Sequence, residues 1–339
     1  MRFGLFVPQG WRMDLAGIEP DQHWGVMAGL AERAEMTRLW ESVWVYDHFH
    51  TVPIPSQEAT HEAWTLMAAL AAVTSRVRLG QMCSCMGYRN PAYLAKVAAT
   101  VDIISEGRLN MGIGAGWYEH EWRAYGVRDG DFPSAGDRLG MLEEGVQIFR
   151  DMWTKGSATL HGKHYQVDGA ICAPRPLQGT TQPGSEQNGI PLWIAGGGEK
   201  KTLRIAAQYA DYTNFSSDVF EHKSAILAAH CAQVGRDFTE ITRSTNMNVV
   251  IGETEKDVKV RLSWMRQHYI DAGVPAARVD QQIEAERTSP GVGTPEQIVE
   301  RLRGLKALGL EYTIAYFTEA AYDTSGMHLF ENTVIPELR

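Results

Sequence analysis

The stretch PLWIAGGGEKKTLRIAAQYADYTNF, residues 191–215, decides the fold. Pro191–Ala195 is a short apolar run that reads as a buried strand. Three glycines follow, then Glu199–Tyr209 repeats its apolar residues at helical spacing, and Tyr212–Phe215 reads as the next strand. Strand, turn, helix and strand in such a short span form a βαβ unit, whose strands run parallel.

The same alternation extends in both directions. Toward the N-terminus, strands are expected at Arg2–Val7, Ser42–Tyr46, Val77–Cys83 and Arg108–Gly114. Helices are expected at Asp21–Leu39, with Asp21 able to cap it, and at His61–Val73, Pro91–Ile104 and Ala135–Trp153. Toward the C-terminus come a helix at Val219–Val234, a strand at Ser244–Ile251, a helix from its cap Thr294 to Leu308, a strand at Glu311–Phe317 and a closing helix at Met327–Leu338. Eight strands, each followed by a helix, predict an α/β protein of the (β/α)8 TIM-barrel class. A doubly wound open sheet is the competing architecture. The barrel is preferred on the count, and because many strands end in polar or glycine residues, where barrels build their sites. Two stretches interrupt the alternation, residues 156–190 after the fourth strand and residues 266–292 after the seventh. The reading is one domain over residues 1–339 with these two insertions.

Composition narrows the function classes. Of 339 residues, 44% are hydrophobic, enough for one large core, and the net charge is −9. That balance argues against nucleic-acid and membrane-surface partners. The start, MRFGLFVPQG, lacks the pattern of a signal peptide, and no apolar run reaches the length of a membrane span. A soluble, cytoplasmic protein is expected. Cys83 and Cys85 sit on one strand and point to opposite faces, so free thiols are expected for them and for Cys172 and Cys231, and a Cys-x-Cys metal site lacks further ligands.

Four segments carry chemistry. In Ala195-Gly196-Gly197-Gly198-Glu199 the glycines allow close approach of backbone to a ligand, and the helix behind them favours a phosphate at its N-terminus. A plain βα turn is the competing reading. Lys200, Lys201 and Arg204 stand at or near the start of that helix, for the ligand's anionic parts or for solvent. Asp47 and His48 close a barrel strand, where an imidazole can serve as acid or base; a structural histidine is the alternative. Gly114-Ala115-Gly116 would let a flat ring lie against the backbone. Met82-Cys83-Ser84-Cys85 ends the third strand. Among the ten tryptophans, Trp11 and Trp117 are the candidates to line a pocket and meet substrate.

At this point the chain resembles a known family. WVYDHF (44–49), Arg89-Asn-Pro-Ala, ATVDIISEGRLNMGIGAGW (99–117) and IAGGGEKKTLRIAAQYAD (194–211) are similar to the luciferase-like superfamily, and most of all to its F420-dependent oxidoreductases. The resemblance runs from RFGLFVPQG to the final helix. It implies a (β/α)8 barrel, often a homodimer, with coenzyme F420 over the C-terminal mouth. It implies a non-prolyl cis peptide at Met82–Cys83 behind the ring and a contact from Ser84. It makes Asp47 a cofactor-contacting carboxylate and His48 the group beside the reactive carbon. Gly114, Ala115 and Gly116 match the backbone at the ring's edge. Gly196, Gly197, Gly198 and Glu199 match the phosphate loop, with Ala195 leading into it.

The chain departs from the family's alcohol and sugar-phosphate dehydrogenases. Trp117 replaces their glutamate, Val52 replaces a tryptophan, and His120, counted here with the cofactor-binding residues, replaces an asparagine. WYEHE (117–121) is instead typical of the broad reductase branch. The resemblance thus implies hydride transfer between the deazaflavin C5 and a small-molecule organic substrate bearing a C=C, C=N or C=O bond, and Trp117 suits a bulky one better than a small alcohol or a sugar phosphate. An FMN-dependent monooxygenase is the alternative, and a barrel that only sequesters flavin is a third reading.

Overall fold

Apolar strand residues bounded by turns fold as the periodicity predicts. In the computed structural model, which describes residues 1–179 and 189–339, eight parallel strands are β1 (Arg2–Phe6), β2 (Ser42–Val45), β3 (Arg78–Gln81), β4 (Leu109–Gly114), β5 (Leu192–Ala195), β6 (Tyr212–Asn214), β7 (Thr242–Ile251) and β8 (Tyr312–Tyr316). They are the strands of a closed (β/α)8 barrel, the fold class the alternation predicts. The chain divides into two units. One comprises Met1–Glu62, Phe215–Glu221 and Arg243–Arg339, the other Ala63–Asn214 and His222–Thr242.

In the first unit β1 pairs in parallel with β2 on one side and β8 on the other, and β8 pairs with β7. Helix Pro20–Thr37 follows β1. Its N-cap is Glu19 and Pro20 takes the first helical position, so Asp21 lies inside the first turn rather than capping it. The polar stretch after β7 is more regular than its sequence suggests. Helix Glu255–Asp271 runs into it, helix Ala276–Glu286 follows, and the short strand Gly291–Gly293 pairs with β7. Val279 and Ile283, one turn apart, are buried in an apolar cluster with Met13, Leu262, Met265 and Tyr269. Three buried side chains per two turns among charged neighbours are easily missed in a sequence. Thr294 caps the helix Pro295–Ala307 as expected, its N–H donating to Gln297 Oε1 at 3.0 Å. The C-terminus forms two short helices, Ser325–Thr333 and Ile335–Leu338, divided before Pro336.

In the second unit the strand order is β3-β4-β5-β6, all parallel. Helices Ala63–Val73, Pro91–Ile104, Ala135–Lys155, Thr202–Tyr209 and Phe220–Val234 follow barrel strands. Asn90 caps the third-strand helix, accepting from the N–H groups of Ala92 and Tyr93. Arg108, at the start of β4, is buried and donates to the carbonyls of Ala71, Thr74, Val77 and Ser105. It thereby satisfies carbonyls left over at the end of helix Ala63–Val73. After β4 an antiparallel pair, Ser157–His161 with Gln166–Ile171, leaves the alternation. Residues 180–188 of that expected excursion lie outside the described residues. All four cysteines are free thiols. Among the described residues no helix is long and apolar enough to cross a membrane, and no group of three or more His, Cys, Asp and Glu is placed to hold a metal.

Candidate active site

Pro8 has no N–H and cannot continue the β1 ladder beyond Val7, whose N–H donates to Trp44 O at 2.9 Å. The Gln9 side chain takes over. Its amide Oε1 accepts from Tyr46 N at 2.8 Å and its Nε2 donates to Tyr46 O at 2.8 Å. A side-chain amide thus does for the end of β2 what a strand residue would do. The Gln9 carbonyl also accepts the His61 N–H at 3.0 Å, so the chain returning from the β2 loop is tied to the same residue. Gln9 is 1% exposed.

From this clamped end issue Asp47 and His48, both buried. The His48 ring lies face to face with Trp11, centroids 4.2 Å apart at 4°. Tyr46 stacks on Phe6 at 4.2 Å and lies tilted against Trp11 at the same distance. Burial pushes the Tyr46 hydroxyl's pKa well up. The structure therefore brings Trp11 and His48 into contact beside Asp47. The indole Nε1 of Trp11 is buried without a hydrogen-bond partner among the described residues.

A polar network at the ends of β1, β7 and β8 was not anticipated. Arg12 donates to Asn248 Oδ1 on β7 and pairs with Glu286 at 2.9 Å, while Asn248 Nδ2 donates to Glu286 Oε2 at 2.6 Å. The guanidinium lies 4.5 Å from the Tyr316 ring centroid. The Tyr316 hydroxyl donates to Asp14 Oδ2 at 2.8 Å, and the Gly10 N–H donates to Asp14 Oδ1 at 2.6 Å. Burial raises the Asp14 pKa, while these donors act against the rise. Glu286 comes from the second insertion, so the network fastens that helix to the β1 and β7 ends. No local pattern announces a pair 274 residues apart. His23 and His61 also meet, Nδ1 to Nε2 at 3.0 Å.

In the second unit the Met82–Cys83 peptide is cis, as the resemblance implied. Ser84 is fully buried, and its hydroxyl accepts from Trp64 Nε1 at 3.2 Å. The alternating glycines have a packing reason. A Cβ at Gly112 would overlap the Gln81 carbonyl, and one at Gly114 would meet Cys83 Sγ at 2.7 Å. Gly114 also lies against Ala195, within 3.9 Å of its Cβ position. Thus Cys83, Gly114 and Ala195 are neighbours. Ala115 is half-buried, and Gly116 has φ +79°. Trp117 is 61% exposed with its ring stacked on Tyr118, and His120 is exposed. Glu121 is buried instead, accepting from the Tyr88 hydroxyl at 2.7 Å.

The glycine turn leaves β5 through Gly196, at φ +110°, whose N–H donates to Asn214 O at 2.8 Å. Among the described residues the N–H groups of Gly197, Gly198 and Glu199 donate to no protein group. Three open donors in succession beside bare backbone fit a phosphate, and a Cβ at Gly198 would crowd Thr202 Oγ1 at 2.6 Å. The helix begins at Thr202 with Lys201 as its N-cap, three residues later than expected at Glu199. The donors therefore belong to the turn itself. Lys200 and Arg204 are exposed, and Lys201 reaches the Gly136 carbonyl. Glu199 pairs with Lys223 and His222, two residues the sequence reading did not single out.

Comparisons with known proteins agree with this architecture. Residues 1–312 match the family model for luciferase-like monooxygenase. A pyrimidine monooxygenase RutA from Stutzerimonas stutzeri is 33% identical over 215 residues, covering 61% of this chain and 54% of the relative. One from Escherichia coli is 30% identical over 216 residues, covering 61% and 53%. The matches thus span about half the length of these curated relatives. Among solved structures, the monooxygenase RslO1 from Streptomyces bottropensis has a TM-score of 0.78 at 21% identity, covering all of both chains. An F420-dependent secondary alcohol dehydrogenase has a TM-score of 0.75 at 19% identity, covering 100% of this chain and 99% of its own. These structural likenesses establish the fold.

Proposed function

The chain belongs to the luciferase-like monooxygenase family, and from that premise we propose that it is an F420-dependent oxidoreductase. It moves hydride between the deazaflavin C5 and a small-molecule organic substrate with an activated C=C, C=N or C=O bond. The observation that carries the reading is the Asp47-His48 pair at the end of β2, with His48 held flat against Trp11. When bound, the cofactor supplies the two-electron chemistry. His48 gives or takes the proton as charge develops on the substrate, and the stack fixes the plane in which its nitrogens can act. Asp47 orients the ring system or His48. Gly197, Gly198 and Glu199 offer their N–H groups to the phosphate. Gly114, Ala115 and Gly116 supply bare backbone for the flat ring, with Met82, Cys83 and Ser84 behind it. Trp117 offers an exposed aromatic face to a bulky substrate. A homodimer working in the cytoplasm belongs to the same reading.

The choice of deazaflavin rests on WVYDHF and GIGAGWYEHE. A second reading, a monooxygenase using reduced FMN, draws on the pyrimidine monooxygenase relatives. Titrating the purified protein with F420 and with FMN separates them. F420 binding more tightly than FMN supports the proposal, and exclusive FMN binding overturns it. With F420 bound, His48→Asn should lower single-turnover hydride transfer by about 10²-fold or more, the scale of one acid–base group. Unchanged turnover would remove His48 from the chemistry.

A further inference from the structure

The glycine turn carries an ion pair that the phosphate reading leaves unused. Glu199 Oε1 lies 2.6 Å from Lys223 Nζ and 3.0 Å from His222 Nε2. The Glu199 carbonyl accepts from His230 Nε2 at 2.7 Å. All three partners come from helix Phe220–Val234, and Lys223 and His230, two turns apart, share a face. The Lys223 side chain is only 15% exposed although it ends in an ammonium. Its stem runs along the turn, so that a Cβ built at Gly197 would stand 3.3 Å from its Cε.

An ordinary surface ion pair needs no such setting. Here the lysine lies over bare glycine backbone, beside N–H groups that donate to nothing among the described residues. The carboxylate it holds is about half exposed and can swing into water. To an ammonium, a carboxylate oxygen and a phosphate oxygen present the same chemistry. We propose that Lys223 is the cationic half of a phosphate seat, with His222 beside it, and that the Glu199 carboxylate fills this half until a ligand phosphate exchanges for it. The other half is the row of N–H groups at Gly197, Gly198 and Glu199. His230 holds the Glu199 carbonyl, so the backbone of the turn stays in place while the side chain leaves. The ligand class is a phosphate monoester or diester. The inference rests on the glycine turn being a phosphate seat.

The test is calorimetric titration with inorganic phosphate at fixed ionic strength, for the full chain and three variants. Glu199→Gln removes the competing charge and should tighten phosphate binding about fivefold, the scale of an exposed ion pair. Lys223→Met should weaken it about tenfold, the scale of one charge-assisted hydrogen bond. Lys223→Gln serves the same comparison should the methionine variant melt early, and it should weaken binding likewise. Glu199→Gln binding no tighter than the parent, a lysine variant binding as well as the parent, or no phosphate binding by parent and Glu199→Gln alike would each overturn the exchange. Failure of the redox reading looks different. The phosphate pattern would then hold while F420 does not bind, whether or not FMN does.

Discussion

Gln9 grips the Tyr46 peptide from both sides, its amide accepting the N–H and donating to the C=O, each at 2.8 Å. Pro8 makes this necessary, because β1 cannot offer a backbone donor at that point. The grip sets where Asp47 and His48 leave the sheet. Gln9→Leu keeps the volume and strands two buried polar groups of Tyr46. Unfolding in urea should show a loss of about 2–4 kcal/mol. The ring-current shift of His48 protons over Trp11 should shrink as the strand end loosens. A full-size shift in a destabilised variant would show that the stack holds itself.

Arg12 and Glu286 are both nearly buried, with side-chain exposures of 13% and 7%. Removing either charge alone strands the other. Arg12→Leu and Glu286→Leu should each cost about 3–5 kcal/mol, and the double variant much less than the sum. Strict additivity in this double-mutant cycle would mean that Asn248 and Tyr316 hold each residue independently.

Glu319 sits against Arg261, yet burial outweighs that cation and the nearby Asp323 adds to the rise, lifting its pKa from 4.5 to about 7. A carboxyl with a raised folded pKa binds more protons folded than unfolded between those values. Stability should therefore be highest below pH 4.5 as far as this group is concerned, and fall as pH rises toward 7, by on the order of 3 kcal/mol. Glu319→Gln should flatten that slope in urea titrations run from pH 4.5 to 7.5. A slope that persists in the variant would assign it to another group.

Two glycine substitutions should go opposite ways. Gly29, in helix Pro20–Thr37, has open space where a Cβ would stand, so Gly29→Ala should stabilise by about 0.5–1 kcal/mol. Gly112→Ala would drive its methyl into the Gln81 carbonyl and push β3 from β4, costing about 3 kcal/mol. Thermal melts of the two variants decide it, and a neutral Gly112→Ala would mean that the β3 end gives way cheaply.

Much of the candidate site is legible in the sequence. Gly196–Glu199 stood out because a glycine run between strand and helix is a local signal. Asp47-His48 stood out because it follows an apolar run that ends in the right place. Pro91 marks a helix start by its tolerance of the first helical position, and Thr294 marks one by cap chemistry. Periodicity alone starts helix Thr202–Tyr209 three residues early. Glu199 and Lys200 are good helix formers, but Gly196 at φ +110° sends the chain through a turn first.

What the sequence by itself determined is the eight barrel strands, most of the helices between them and so the barrel class, because periodicity and capping act over a few residues; the family resemblance lay in the motifs, and the regular structure inside the two insertions was not legible. Only the tertiary structure decided the partners. Gln9 with Tyr46, Trp11 with His48, Arg12 with Glu286, and Lys223 with Glu199 join segments far apart in the chain. A guanidinium or an amide carries no mark of which distant carboxylate or peptide will face it. That choice is made when packing apolar faces brings the segments together, and burial then makes any group left unpaired costly.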